Sequence, residues 1–182
     1  MSSLVAISFL LGLVHVASPD HWVPLSLQGW QRSWNSARIM GLGSQLLALH
    51  VATGLLAALL LREWALGLGE QGLLAFSLAM VVLFAGLRFL RFSKLREAFL
   101  AGPQSKRGIL ATWALLGPAE SLVPVVLRSV QSGHGYLIPV LAYLAGTLLA
   151  GNFLFLAGRR LWNQPVRLAQ GYAWVSRLSF TR

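Results

Sequence analysis

Five ionisable side chains sit in, or at the edge of, stretches that otherwise carry no charge: His15, Asp20, His21, His50 and Glu120. Imidazole nitrogens, carboxylate oxygens and backbone carbonyls are the donors that a borderline divalent transition-metal ion accepts. Three of the five share one segment, Leu13-Val14-His15-Val16-Ala17-Ser18-Pro19-Asp20-His21-Trp22-Val23-Pro24. On an unbroken helix His15 and His21 stand about 120° apart around the axis and share no site. Pro19 changes that. It lacks an N–H, its ring crowds the carbonyl of His15 four residues back, and it biases Ser18 towards extended backbone. A break at this point folds Asp20 and His21 back towards His15 and is expected to leave the His15 carbonyl unbonded.

Glu120 has a matching setting. Glu120-Ser121-Leu122-Val123-Pro124 aligns with Asp20-His21-Trp22-Val23-Pro24 as acid, polar, large apolar, Val, Pro, and each acid has another proline one or two residues before it. In both, the later proline is expected to free the carbonyl of the acid itself. Ala52-Thr53-Gly54-Leu55-Leu56-Ala57 and Ala145-Gly146-Thr147-Leu148-Leu149-Ala150 compare more weakly, since runs of small residues are common where membrane helices pack.

The elements that must position these groups are apolar helices. Of 182 residues, 56% are hydrophobic and 11% charged, against about 25% charged in a typical soluble domain. A crossing helix needs about 20 mostly apolar residues. Spans are therefore predicted at 3–19, 39–61, 71–90, 108–127 and 136–158. In lipid each must be helical, because no water is present to satisfy an open backbone. The first stretch lacks the basic start of a signal peptide and runs into Pro-Asp-His, so it is read as a real helix. The expected fold is an all-α integral membrane protein of about five transmembrane helices, occupying residues 1–160. Its first and fourth helices are broken and oppositely directed, as in an inverted repeat with the site between them. A full three-plus-three repeat needs a sixth helix; either the second half is incomplete, or a second copy or a partner subunit supplies it.

The net charge of +10 raises the question of nucleic acid. Its distribution argues for lipid instead. With five crossings, thirteen basic residues fall on one side and only Arg62 and Arg128 on the other. That bias puts the N-terminus outside the cell membrane, and the loops 20–38 and 91–107 with the C-terminus inside. Trp22, Trp30, Trp34, Trp64, Trp113 and Trp162 lie near span ends, as interfacial anchors do. Anionic headgroups suffice as partners for the basic loops. Residues 161–182 read as a basic amphipathic tail on the inner surface. With no cysteine, thiolate metal sites and iron–sulfur clusters are excluded.

His15-x4-Asp20-His21 resembles the signature of the nickel/cobalt transporter family, in which a helix carries His-Ala-x-Asp-Ala-Asp-His. The urease-accessory-type transmembrane relatives often show Pro-Asp-His, as Pro19-Asp20-His21 does here. Their later Ser-Leu-Gly-His-Ser is matched by Leu47-Ala48-Leu49-His50-Val51 at the histidine alone. Their Gly-Pro-Cys-Glu-x-Leu-x-Pro is similar to Gly117-Pro118-Ala119-Glu120-Ser121-Leu122-Val123-Pro124. The three motifs touch three of the five spans in the same order. Ser18 stands where the family has its first Asp, and Ala119 where it has cysteine. The resemblance implies that His15, Asp20 and His21 bind metal with His50 close by, and that the protein carries nickel or cobalt across the membrane; zinc and manganese fit the same donors.

Other readings of the same residues exist. His15 and His50 serve equally as interhelical hydrogen-bonding groups. Asp20 caps a helix or pairs with Arg32 or Arg38. Glu120 is either protonated and inert, or exchanges a proton as metal moves. His134, among Ser132, Gly133 and Gly135, reads as a loop residue. His15-x4-Asp20 also fits the His-Asp pair of membrane glycerolipid acyltransferases, yet no loop is long enough for their cytoplasmic domain, and His-Glu-x-x-His is absent. The expected protein is therefore no enzyme and carries no organic cofactor, with the metal ion as its substrate. A non-transporting subunit or assembly factor is the alternative, binding metal or one haem between His15 and His50. The metal reading predicts purified protein with no Soret band and no acyl-CoA turnover dependent on His15; either signal would replace it.

Overall fold

The computed structural model describes residues 2–67, 69, 71, 72, 75, 76, 78–80, 82, 83, 86, 119–133 and 135–162. Five helices are bounded within them: α1 (Ser2–Val16), α2 (Pro19–Gln31), α3 (Ser36–Leu66), α4 (Leu122–Gln131) and α5 (Leu137–Trp162). No strand occurs among the described residues. The stretches Ser36–Arg62 of α3 and Leu137–Leu161 of α5 are long and apolar enough to cross a membrane. A third candidate arises if α1 and α2, bent by 49°, count as one span, while α4 is a shorter apolar helix. Of the predicted 71–90 span, the described positions from 71 to 86 are helical. The rest of that span, residues 108–118 of the fourth, the loop 91–107, His134 and the tail beyond 162 lie outside the described residues.

The break at Pro19 forms as its chemistry dictates. Ser18 is extended, with φ −58° and ψ 128°, and Pro19 opens α2, the position where a missing N–H costs nothing. Ser18, not Asp20, is the N-cap. Two expectations fail here. The carbonyl of His15 is not loose, because the Ser18 N–H donates to it at 3.4 Å; the turn tightens and recaptures what the proline released. Residues 20–31 are also not a loop. Once Pro19 has started a new helix, the uncharged run from His21 to Gln31 continues it, burying Leu25 and Ser26. The connection to α3 shrinks to 32–35. Within the predicted fourth span, Ala119–Ser121 are not helical and lead directly into α4. There the Val123 N–H donates to the Glu120 carbonyl at 3.2 Å, so Pro124 does not free that oxygen either.

Glycines set how closely the helices approach. A Cβ on Gly12 would strike the carbonyl of Tyr143, and one on Gly146 the carbonyl of Phe9. α1 and α5 therefore cross with backbones in contact, which only small residues permit. The pairings Phe9 with Gly146, Gly12 with Thr147 and Val16 with Gly151 advance together, so α1 runs in the direction of α5. α3 runs against both: Ser44 exchanges hydrogen bonds with Asn152 at 3.1 and 3.2 Å, and Ser36 meets Arg159. α4 returns antiparallel onto α5, with Ser121 at Tyr143 and a short connection at the far end. Thus α1 and α4 point in opposite directions.

The small-residue runs have reciprocal roles. Gly54 of α3 receives the backbone of Ala119, ahead of α4, just as Gly146 of α5 receives α1. Two apolar clusters result: one gathers Val51, Ala58, Leu122, Val126 and Tyr143, and the other Val16, Leu25, Ile39, Leu47 and Phe155.

The tight α1–α5 crossing yields a paired expectation. Gly12→Val forces overpacking, which costs roughly 1–3 kcal/mol or more, and thermal unfolding in detergent should register it. Thr147→Val should leave the unfolding temperature unchanged or higher. The Thr147 hydroxyl is buried without a hydrogen-bond partner, and removing an unsatisfied buried polar group relieves a desolvation cost.

Candidate metal centre

Three histidines from three helices converge. His15 lies in the last turn of α1, His21 in the first turn of α2, and His50 at the centre of the Ser36–Arg62 stretch of α3. The Nε2 atoms of His15 and His50 are 2.9 Å apart, those of His15 and His21 3.1 Å, and those of His21 and His50 3.4 Å. The break at Ser18 makes this possible: the 49° bend and the restart at Pro19 bring His21 onto the side of His15. His50 arrives from α3, buried between Leu47 of one apolar cluster and Val51 of the other.

The donor set is informative by itself. Each Nε2 is either protonated, and donates, or bare, and accepts. A hydrogen bond needs one of each kind, and three atoms in a closed triangle cannot alternate. At least one of the three edges must set two N–H groups, or two lone pairs, face to face. His21 and His50 are 3% and 0% exposed, so water does little to relieve that opposition. A cation meeting three lone pairs removes it. The spacing fits one: nitrogens about 2.1 Å from an ion stand about 3.0 Å apart at right angles and about 3.4 Å at the tetrahedral angle. The observed edges span that interval, and no thiolate is present.

The surrounding groups tie residues 119–121 to this triangle. The His15 and His50 rings are nearly parallel, 5° apart in plane, with centroids at 5.3 Å, while His21 stands edge-on to both. The Tyr143 ring lies 6.1 Å from that of His15, and its hydroxyl shares a 2.6 Å hydrogen bond with Ser121. The Ala119 N–H donates at 3.2 Å to the carbonyl of His50, which also accepts from the Thr53 hydroxyl at 2.9 Å. Residues 119–121 are therefore docked on the backbone of the α3 turn that carries His50 through one bond and on α5 through another.

Of the five residues predicted from sequence, His15, His21 and His50 are brought together. Glu120 is buried, 8% exposed, on the docked segment beside His50, but its carboxylate is not among the atoms that converge. The side chain of Asp20 lies outside the described residues; its backbone is in the first turn of α2. Sequence reasoning missed Tyr143, Ser121, Ser44 and Asn152. All are neutral, and a search for ionisable groups passes over them, although a hydroxyl or amide within an apolar run was the available signal.

A buried His triad of this geometry can bind a metal ion. Replacing His15, His21 or His50 singly with Ala should weaken metal binding by roughly 100-fold, at or beyond the range seen when a ligand's outer-shell support is lost. The readout is the metal-induced rise in unfolding temperature of detergent-purified protein, which tracks affinity. Acidification should shrink the rise, because imidazole must be neutral to ligate. Equal rises in all variants would remove the triad from consideration. Comparison with known proteins adds no assignment: no family model, curated protein or solved structure matches this chain.

Proposed function

We propose that the chain is a multi-pass membrane permease for a divalent transition-metal cation, which is its substrate and not a resident cofactor. The observation that carries the proposal is the triangle of Nε2 atoms, with His21 and His50 buried and His15 half-buried. It joins the two sides of the α1–α2 break to the centre of an apolar stretch long enough to span a bilayer. Histidines in such a position are costly unless they serve a path or a site. Leu10, Val14, Leu60, Leu149 and Phe153 are large, apolar and exposed, which suits lipid and not water.

The transport step draws on the pairing of halves. α1 and α4 run oppositely; α1 ends at the break before Pro19, while α4 begins after the non-helical residues 119–121. α1 and Ala119 each pack on a small-residue run, at Gly146 and Gly54. This supports an inverted repeat in which the α1–α2 pair and the segment at 119–131 rock about a fixed site. Nitrogen donors without thiolate favour a cation that must also leave. In this reading Asp20 adds an oxygen ligand or balances charge at the start of α2, and Glu120 completes the coordination or takes up a proton as the ion moves. Nickel or cobalt as the cation rests on the motif resemblance; the donors themselves accept zinc or manganese as well.

Reconstituted proteoliposomes loaded with a metal-sensitive dye test this directly. Wild-type protein should admit at least one of nickel, cobalt, zinc or manganese above empty vesicles, and His15→Ala with His21→Ala should cut the flux roughly tenfold or more. Flux no greater than in empty vesicles for all four ions would end the permease reading.

A further inference from the structure

A second site is built where α2, α3 and α5 meet, at the ends of the apolar stretches. α2 closes with two hydrogen bonds: the Ser33 N–H to the Trp30 carbonyl at 3.1 Å, and the Trp34 N–H to the Gly29 carbonyl at 2.9 Å. This is the paired capping pattern that requires a left-handed residue between them. Ser33 occupies that position with φ 51°, where glycine is the usual choice, and no other described residue except glycine has positive φ. The turn carries Trp34 back over Gly29 and beside Ile39, leaving the indole 5% exposed. Trp34 is therefore no free-standing interfacial anchor but a fixed platform.

Two guanidinium groups share that platform. Arg32 lies 5.5 Å and Arg38 4.9 Å from the indole centroid. A third, Arg159 at the end of α5, donates to the Ser36 hydroxyl at 3.0 Å, and exposed Arg160 follows it. Among the described residues no carboxylate pairs with Arg32, Arg38 or Arg159. The first turn of α3 has no acid; Asn35 caps it by accepting the Arg38 N–H at 2.8 Å. A guanidinium stacked on an aromatic face keeps its N–H edge available to oxygen, and does so in a fixed plane. Like charges gathered on one ring repel unless an anion lies between them. The arrangement suits a tetrahedral oxyanion with several acceptors.

We propose that the Arg32–Trp34–Arg38 cluster, with Arg159, holds the phosphate of an anionic phospholipid headgroup. The cluster sits where the candidate spans begin at Ser36 and end at Leu161, which is headgroup depth in a bilayer and favours lipid over free phosphate as the source. The inference rests on the membrane reading above and is independent of the metal site. It differs from a diffuse attraction of basic loops, because two named arginines and one buried ring define it.

The test is native mass spectrometry of the full chain released from phosphatidylcholine micelles titrated with phosphatidylglycerol. Wild-type protein should retain phosphatidylglycerol at one tight site, and Arg32→Gln with Arg38→Gln should weaken retention about thirtyfold. Arg62→Gln, at the other end of α3, should leave it unchanged. Monodisperse elution and a cooperative thermal transition in detergent, as for wild type, certify the fold of the double variant; should that variant not fold, Arg38→Gln alone carries the comparison. Equal phosphatidylglycerol affinity in wild type and the folded variant overturns the site. Saturation of the cluster by inorganic phosphate alone overturns the lipid source. A chain that stays monodisperse without detergent sinks the membrane reading itself, an outcome distinct from both.

Discussion

Three imidazole nitrogens in a closed triangle cannot all hydrogen-bond to one another, and the rest of this structure is arranged to force them into that triangle. The frustration is a matter of parity, not of strength: any assignment of protons leaves two like groups facing across one edge. In water such side chains would turn away. Here His21 and His50 are buried, and their helices are pinned by contacts that leave little freedom to separate. A cation in contact with all three lone pairs resolves the conflict.

What pins the helices is backbone proximity. Gly12 and Gly146 let α1 lie directly on α5, one turn before His15. Gly54 lets the segment at Ala119 dock on α3 one turn beyond His50, where the Ala119 N–H bonds the carbonyl of that histidine. Any movement of residues 119–121 therefore pulls on the backbone that carries His50. The Ser121–Tyr143 hydrogen bond supplies a parallel link towards His15. A site linked to α1, α3 and the segment ahead of α4 at once suits the alternating exposure of the proposed permease.

The three histidines of the candidate site were legible in the sequence, because charge is so scarce that each ionisable residue stands out. Pro19 after Ser18 announced the break, and the break placed His21 with His15. The failures share one cause. Proline chemistry indicates where a hydrogen bond is lost but not whether the chain recovers it, and Ser18 and Val123 recovered the carbonyls of His15 and Glu120. The continuation of α2 was hidden because residues 20–38 contain two arginines and several polar groups, which resemble a loop until their packing against α5 is seen. Trp34 was misjudged for a related reason: aromatic residues near span ends are commonly interfacial, yet the left-handed turn at Ser33 buries this one. Tyr143 and Ser121 carried no signal strong enough to separate them from ordinary packing residues.

X-ray absorption at the metal edge of protein loaded with one equivalent of nickel or cobalt tests the triangle most directly. The account predicts a first shell of light donors near 2.1 Å, with imidazole scattering from about three rings, falling to about two in His50→Ala. A first shell with no imidazole contribution, or one identical in wild type and His50→Ala, contradicts it.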